Sequence, residues 1–331
     1  MKQFFYITSV DSQEIHVFQM KKNGYLTLLQ ILKEDEQIQP ICVNYIKNKM
    51  YVGTKPNFYI ITYNIRLDGT LEKIEKKIID SSPTYISIDP INNFLFYCSY
   101  NYNCFNIYKL NDISGLLESS IPIKNIKNIQ GCHFIKPDLK KLSIFVTSLK
   151  KDLIYVYSNK NNCWHISEKI DVKKKSGPRH IAFHPNNNYF YSINELNATI
   201  DVFKKTEKIS FLKTVKMFDS IKKNQSYWSS DIHITPTGKY LYACDRYFSK
   251  ISIFSIINNG SDLKFNKNKK TESQPRGFEI DFTGQYLVVA GQLSHHISVY
   301  KINQNTGNLD FIYRYKVGKN PIFVKSFFFQ K

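Results

Sequence analysis

Residues 177–203 run Gly177-Pro178-Arg179-His180-Ile181-Ala182-Phe183-His184-Pro185, then Asn186-Asn187-Asn188, then Tyr189-Phe190-Tyr191-Ser192-Ile193-Asn194-Glu195-Leu196-Asn197-Ala198-Thr199-Ile200-Asp201-Val202-Phe203. A proline step opens a short apolar strand. Three asparagines, which accept turn conformations, reverse the chain. A strand of aromatic and β-branched residues follows. After a second polar turn, a third strand reads apolar, polar, apolar, aromatic.

The same unit recurs on both sides. Gln39-Pro40 leads to Met50-Tyr51-Val52-Gly53 and then Tyr59-Ile60-Ile61-Thr62-Tyr63. Ser82-Pro83, Gly131-Cys132-His133, Ser230-Asp231 and Gln274-Pro275 open further copies. Asn320-Pro321 opens a last copy that stops short. Phe4-Phe5-Tyr6-Ile7 and Ile15-His16-Val17-Phe18 supply the strands it lacks. The openings fall about 43 to 53 residues apart, the length of one four-stranded blade. Six whole units and one split unit predict an all-β, seven-bladed β-propeller of antiparallel blades. Residues 1–331 are expected to form one domain, with N- and C-terminal strands pairing to close the ring and remove two free edges. Continuous apolar runs suit strands buried on both faces. The short strands and the turns at Thr237-Gly238 and Thr283-Gly284 argue against a helical solenoid.

Composition narrows the function. The net charge is +19, yet only five basic residues are Arg (66, 179, 246, 276 and 314). Arg supplies the planar fork used in base and phosphate recognition. The lysines are scattered, with short runs only at residues 173–175 and 267–270. No stripe collects the charge, so no nucleic-acid partner is expected; the charge can still steer an anionic substrate. No apolar run approaches the roughly 18 residues of a membrane span, and the N-terminus lacks a secretory pattern. The six cysteines form no CxxC pair, which suits reduced thiols in a cytoplasm. The chain is expected to be cytoplasmic and monomeric, with no membrane partner.

No metal or organic cofactor is expected. His180 and His184 stand four apart on a strand, about 13 Å at roughly 3.3 Å per residue, too far to share a metal. No Gly-rich phosphate loop or GxSxG elbow occurs. Polar residues gather instead where first strands start and second strands end. Counting outward from Asn187 sets Arg179 opposite Glu195. Counting from Gly238 sets Asp231 opposite Asp245, and from Gly284 Arg276 opposite Gln292. First strands line a propeller's channel. His133, Arg179, His180, Glu195, Asp231, His233, Asp245, Arg246 and Arg276 are therefore expected at one mouth. Basic groups suit an anion, and His or Glu suits proton transfer.

These residues carry a resemblance. Gly177-Pro178-Arg179-His180, Asn194-Glu195-Leu196-Asn197, Asp231-Ile232-His233-Ile234-Thr235-Pro236, Tyr242-Ala243-Cys244-Asp245-Arg246, Gln274-Pro275-Arg276-Gly277-Phe278 and Ser294-His295-His296-Ile297 are similar to the bacterial seven-bladed propeller lactonases. The resemblance implies hydrolysis of 6-phospho-D-glucono-1,5-lactone, a small anionic sugar-phosphate lactone, without a cofactor. Related muconate-lactonising propellers imply a site of one His, two Arg and one Glu. His133, Arg179 and Glu195 match three of these, with Arg246 or Arg276 as the fourth. The expected catalytic set is Glu195 as base, with His133 or His180 as alternatives, and Arg179 on the oxyanion. Arg276, Arg246, His233, Asp231 and Asp245 are expected around the substrate and its phosphate. Another lactone-ring enzyme and a non-catalytic scaffold are the competing readings. The scaffold calls for an apolar mouth.

Overall fold

The computed structural model describes residues 2–138, 140–161, 163–219 and 225–329. Each apolar run becomes a strand. In the unit quoted first, Tyr189–Asn194 pairs antiparallel with Pro178–Phe183 on one side and Thr199–Lys205 on the other. Ile209–Lys216 completes that sheet. Seven such four-stranded sheets form the propeller. Six use residues 37–78, 85–126, 132–171, 178–216, 229–270 and 275–316, numbered here as blades 1 to 6. The seventh takes its innermost strand, Pro321–Phe328, from the C-terminal end. Gln3–Ser9, Glu14–Met20 and Leu26–Lys33 supply its other three.

Burial follows position in the blade. Second strands such as Phe94–Ser99 are buried throughout, whereas outer strands such as Leu71–Ile78 alternate toward solvent. The core lies between blades. Phe134, Phe145, Ile181, Phe190 and Phe203 pack blade 3 on blade 4. Phe5, Ile7, Val288 and Ala290 pack the closing blade on blade 6.

A hydrogen bond repeats around the ring. A tyrosine of one blade's second strand donates to a glycine carbonyl in the next blade's outer turn. Tyr51 reaches Gly115 at 2.6 Å, Tyr191 reaches Gly260 at 2.7 Å and Tyr242 reaches Gly307 at 2.8 Å. In the closing blade Tyr6 reaches Gly69 at 3.0 Å. Gly69 has φ +88°, and a Cβ there would lie 2.1 Å from the Phe4 ring, so both the turn and the packing require glycine.

The inner strands share an irregularity that shapes the channel mouth. Their pairing slips by a bulge near the start in blades 1, 3, 4, 5 and 6 and in the closing blade. A bulge leaves a residue unpaired and re-aims its side chain. The bulged residues include Gln39, His133, Arg179, Asp231 and Arg276. The expected cross-strand pairs are corrected accordingly. Pro178 faces Asn194 and His180 faces Ile193, leaving Arg179 between them. Asp245 faces Ser229 rather than Asp231. Pro275 faces Gly291, and Gln292 bonds Asn320 rather than Arg276.

Candidate active site at the channel mouth

Bulges and second-strand ends bring His133, Glu195, Arg246 and Arg276 to the wall of one pocket of about 280 Å³. Gln39, Lys55, Tyr100 and Trp228 share that wall. Thr147 Oγ1 donates to the Arg179 carbonyl at 2.9 Å, and Ser230 Oγ to the Pro275 carbonyl at 2.8 Å. These bonds tie neighbouring inner strands together where the pocket residues emerge.

Glu195 is the hinge of the electrostatics. Arg179 Nε and Arg246 Nη2 each lie 2.8 Å from its Oε2. The Arg179 Nε–H does not point at the oxygen, so this contact is an ion pair rather than an aligned hydrogen bond. Oε1 has no hydrogen bond or ion pair among the described residues. Arg179 is 1% exposed and does not line the pocket. Its Nη1 donates to the Ser230 carbonyl and lies 3.1 Å from His180 Nε2. Arg246 packs its guanidinium 3.8 Å from the centre of the Trp228 ring and donates from Nε to the Trp228 carbonyl at 3.2 Å.

The other charges of the pocket are unpaired. Arg276 makes no hydrogen bond or ion pair among the described residues, and its Nε is buried without a partner. Burial and Arg179 press its pKa downward, but a guanidinium stays a cation. Lys55, partly buried, is likewise unpaired; burial and then Arg276 lower its pKa. Burial, Arg179 and His180 hold His133 well below the imidazole range, so it is neutral. Its Nδ1 is buried with no partner.

Not every expected residue reaches this pocket. His180, Asp231 and His233 line a second chamber of about 200 Å³ further along the channel. Asp231 takes His180 Nδ1 at 2.8 Å on one oxygen and His233 Nε2 at 3.1 Å on the other. Burial and then Arg179 push His180 down to about 3, so it is neutral. With Nδ1 on Asp231, its Nε2 faces Arg179 as an acceptor. Asp245 is fully buried and caps local backbone: it accepts from Trp228 N at 3.0 Å, Ser229 Oγ at 2.9 Å and Phe248 N at 3.0 Å. It touches neither chamber.

Lys55, Gln39, Tyr100 and Trp228 were not expected from sequence. The signal for two of them was present. Lys55 ends the second strand of blade 1, and Gln39 sits at that blade's inner-strand bulge. These are the repeat positions that hold Glu195 and Arg179 in or near blade 4. Among the described residues, no group of three His, Cys, Asp or Glu side chains is placed to hold a metal ion. Among the same residues, no helix is long and apolar enough to cross a membrane.

Comparison with known proteins gives the class. The family described as lactonase, 7-bladed beta-propeller, matches residues 4–326, and the chain belongs to it. The particular likeness is to proteins named 6-phosphogluconolactonase. That of Erwinia tasmaniensis is 42% identical over 329 residues, 98% of each chain. That of Buchnera aphidicola subsp. Schizaphis graminum is 40% identical over 99% of each chain. A periplasmic gluconolactonase of Pseudomonas aeruginosa shares the fold at a TM-score of 0.88 and 16% identity, over 99% of this chain and 100% of that one.

Proposed function

We propose that the chain hydrolyses 6-phospho-D-glucono-1,5-lactone to 6-phospho-D-gluconate, a step of the pentose phosphate pathway, in the pocket at the channel mouth. The observation that carries this reading is an unpaired guanidinium, Arg276, sharing a pocket with a carboxylate that keeps one oxygen free. Arg276 and Lys55 bind the substrate phosphate, since neither is neutralised by the protein. Glu195 Oε1 takes the proton of the water as its oxygen bonds to the lactone carbonyl carbon, and returns it to the ring oxygen as the acyl C–O bond breaks. Arg246 faces the developing oxyanion of the lactone carbonyl. Neutral His133 is the second proton acceptor of the pocket. Arg179 moves from an expected catalytic role to a positioning one: it is sealed beneath Glu195 and holds its Oε2. His180 and Asp231 in turn orient Arg179. His180 has both ring nitrogens engaged and is not the base. Six unpaired cysteines, five of them buried, support a cytoplasmic location.

The test is acceleration of 6-phosphogluconolactone hydrolysis over its spontaneous rate, with the unphosphorylated lactone as control. Arg276→Ala should raise KM for the phosphorylated substrate about tenfold or more, as loss of a charged hydrogen bond does. Turnover of the neutral lactone should hardly change. No acceleration by the intact chain overturns the activity. An equal loss on both lactones removes Arg276 from the phosphate site.

A further inference from the structure

The second chamber holds an ammonium with no direct hydrogen-bond or ion-pair partner among the described residues. Its wall includes Tyr85, Lys136, His180, Asp231, His233, Glu279 and Lys325. It shares no lining residue with the mouth pocket. Its two carboxylates are engaged. Asp231 holds two imidazoles and the backbone N–H groups of Ile232 and Phe278. Glu279 holds Lys325 Nζ at 2.8 Å on one oxygen and faces His233 Nδ1 at 3.7 Å with the other. Lys136 is left over. It makes no hydrogen bond or ion pair among the described residues, and its Nζ lies 5.8 Å from the centre of the Phe183 ring.

An ammonium held away from bulk water is costly unless it is paired. Two other lysines turned toward the interior are paired: Lys205 with Asp138 and Lys325 with Glu279. Lys136 instead faces open space. The chamber's 200 Å³ takes roughly six waters at about 30 Å³ each, or one small ion with its remaining hydration. Burial and the charge of Lys325 push the Lys136 ammonium down to about 8, and a bound anion would restore its charge.

We propose that this chamber is a second binding site, for a small oxyanion of the phosphate or carboxylate class, with Lys136 as its principal ligand. Lys325, on a facing strand of the same wall, adds a second positive charge. Neither lysine has a part in the reaction assigned to the mouth.

Calorimetric titration tests it, with inorganic phosphate in one arm and acetate in the other. The background is Arg276→Ala with Lys55→Met, which removes both phosphate ligands assigned to the mouth. One saturable site should remain there, and the tighter arm identifies the anion class. Adding Lys136→Met, which keeps the side-chain length and removes the charge, should weaken it about tenfold or more. Mass-spectrometric acetylation of the unaltered chain gives a second measurement: the same anion should protect Lys136. The absence of a saturable site in that double-variant background overturns the proposal. So does binding that survives Lys136→Met, or acetylation of Lys136 that the anion leaves unchanged.

Discussion

Glu195 sits between two jobs: its Oε2 balances two buried guanidiniums while its Oε1 faces the pocket. Glu195→Gln separates them. Loss of a base should lower kcat by about 10² or more. Loss of the countercharge should lower Tm too, since breaking a buried ion pair is strongly destabilising. Activity is therefore measured well below the variant's Tm. Unchanged kcat in folded Glu195→Gln protein would move the base to His133, whose Nδ1 is free. Sequence alone brought Glu195, Arg246, Arg276 and His133 to one mouth correctly. It put His180, Asp231 and His233 there too, because the repeat shows where an inner strand begins but not how deep each residue lies. Asp245 shows a different limit. A charged residue at a strand end reads as exposed chemistry, whereas here its carboxylate satisfies three local donors.

Between elements, the buried pair Lys205–Asp138 clamps blade 4 to blade 3, with side chains only 3% and 2% exposed. Asp138→Ala leaves an unpaired ammonium and should cost about 3–5 kcal/mol, read from denaturant unfolding. Replacing both, Asp138→Leu with Lys205→Met, should recover most of that loss. A double variant no more stable than Asp138→Ala would show that the clamp contributes more than its charge balance. The blades themselves were legible because alternating turns and β-branched runs mark strands strongly. Their exact registers were not, because counting outward from a turn assumes an unbroken ladder. The bulges at Arg179 and Arg276 break it by one residue. Bulges at His133 and Arg276 also bring those two side chains to the wall of the mouth pocket.

At the scale of the molecule, closure and titration make separate predictions. Removing the segment from Asn320 onward takes away the inner strand of the closing blade. Its neighbour Gln3–Ser9 then has an open edge, and cooperative thermal unfolding should be lost. A truncated chain melting like the intact one would show that closure contributes nothing. Titration acts through imidazoles. Burial holds His16, His133 and His180 below their ordinary pKa. The unfolded chain therefore binds more protons than the folded one as pH falls through about 6.5. Their contribution is complete above that pH and is lost below it. Tm should fall from pH 7 to pH 5, and His180→Asn should make the fall shallower. A flat profile over that range would contradict neutral buried imidazoles.

The split blade also fixes an order of events during synthesis. Its three N-terminal strands leave the ribosome first, and their inner neighbour, Pro321–Phe328, is made only after residues 34–320. At about 5–20 residues per second, that interval is on the order of 15–60 s. Throughout it, Gln3–Ser9 is a buried-type strand with an unsatisfied edge, open to pairing with another nascent chain. Gln3–Ser9 is thus the strand that waits longest for its inner partner, and the edge most in need of shielding while the chain is being made.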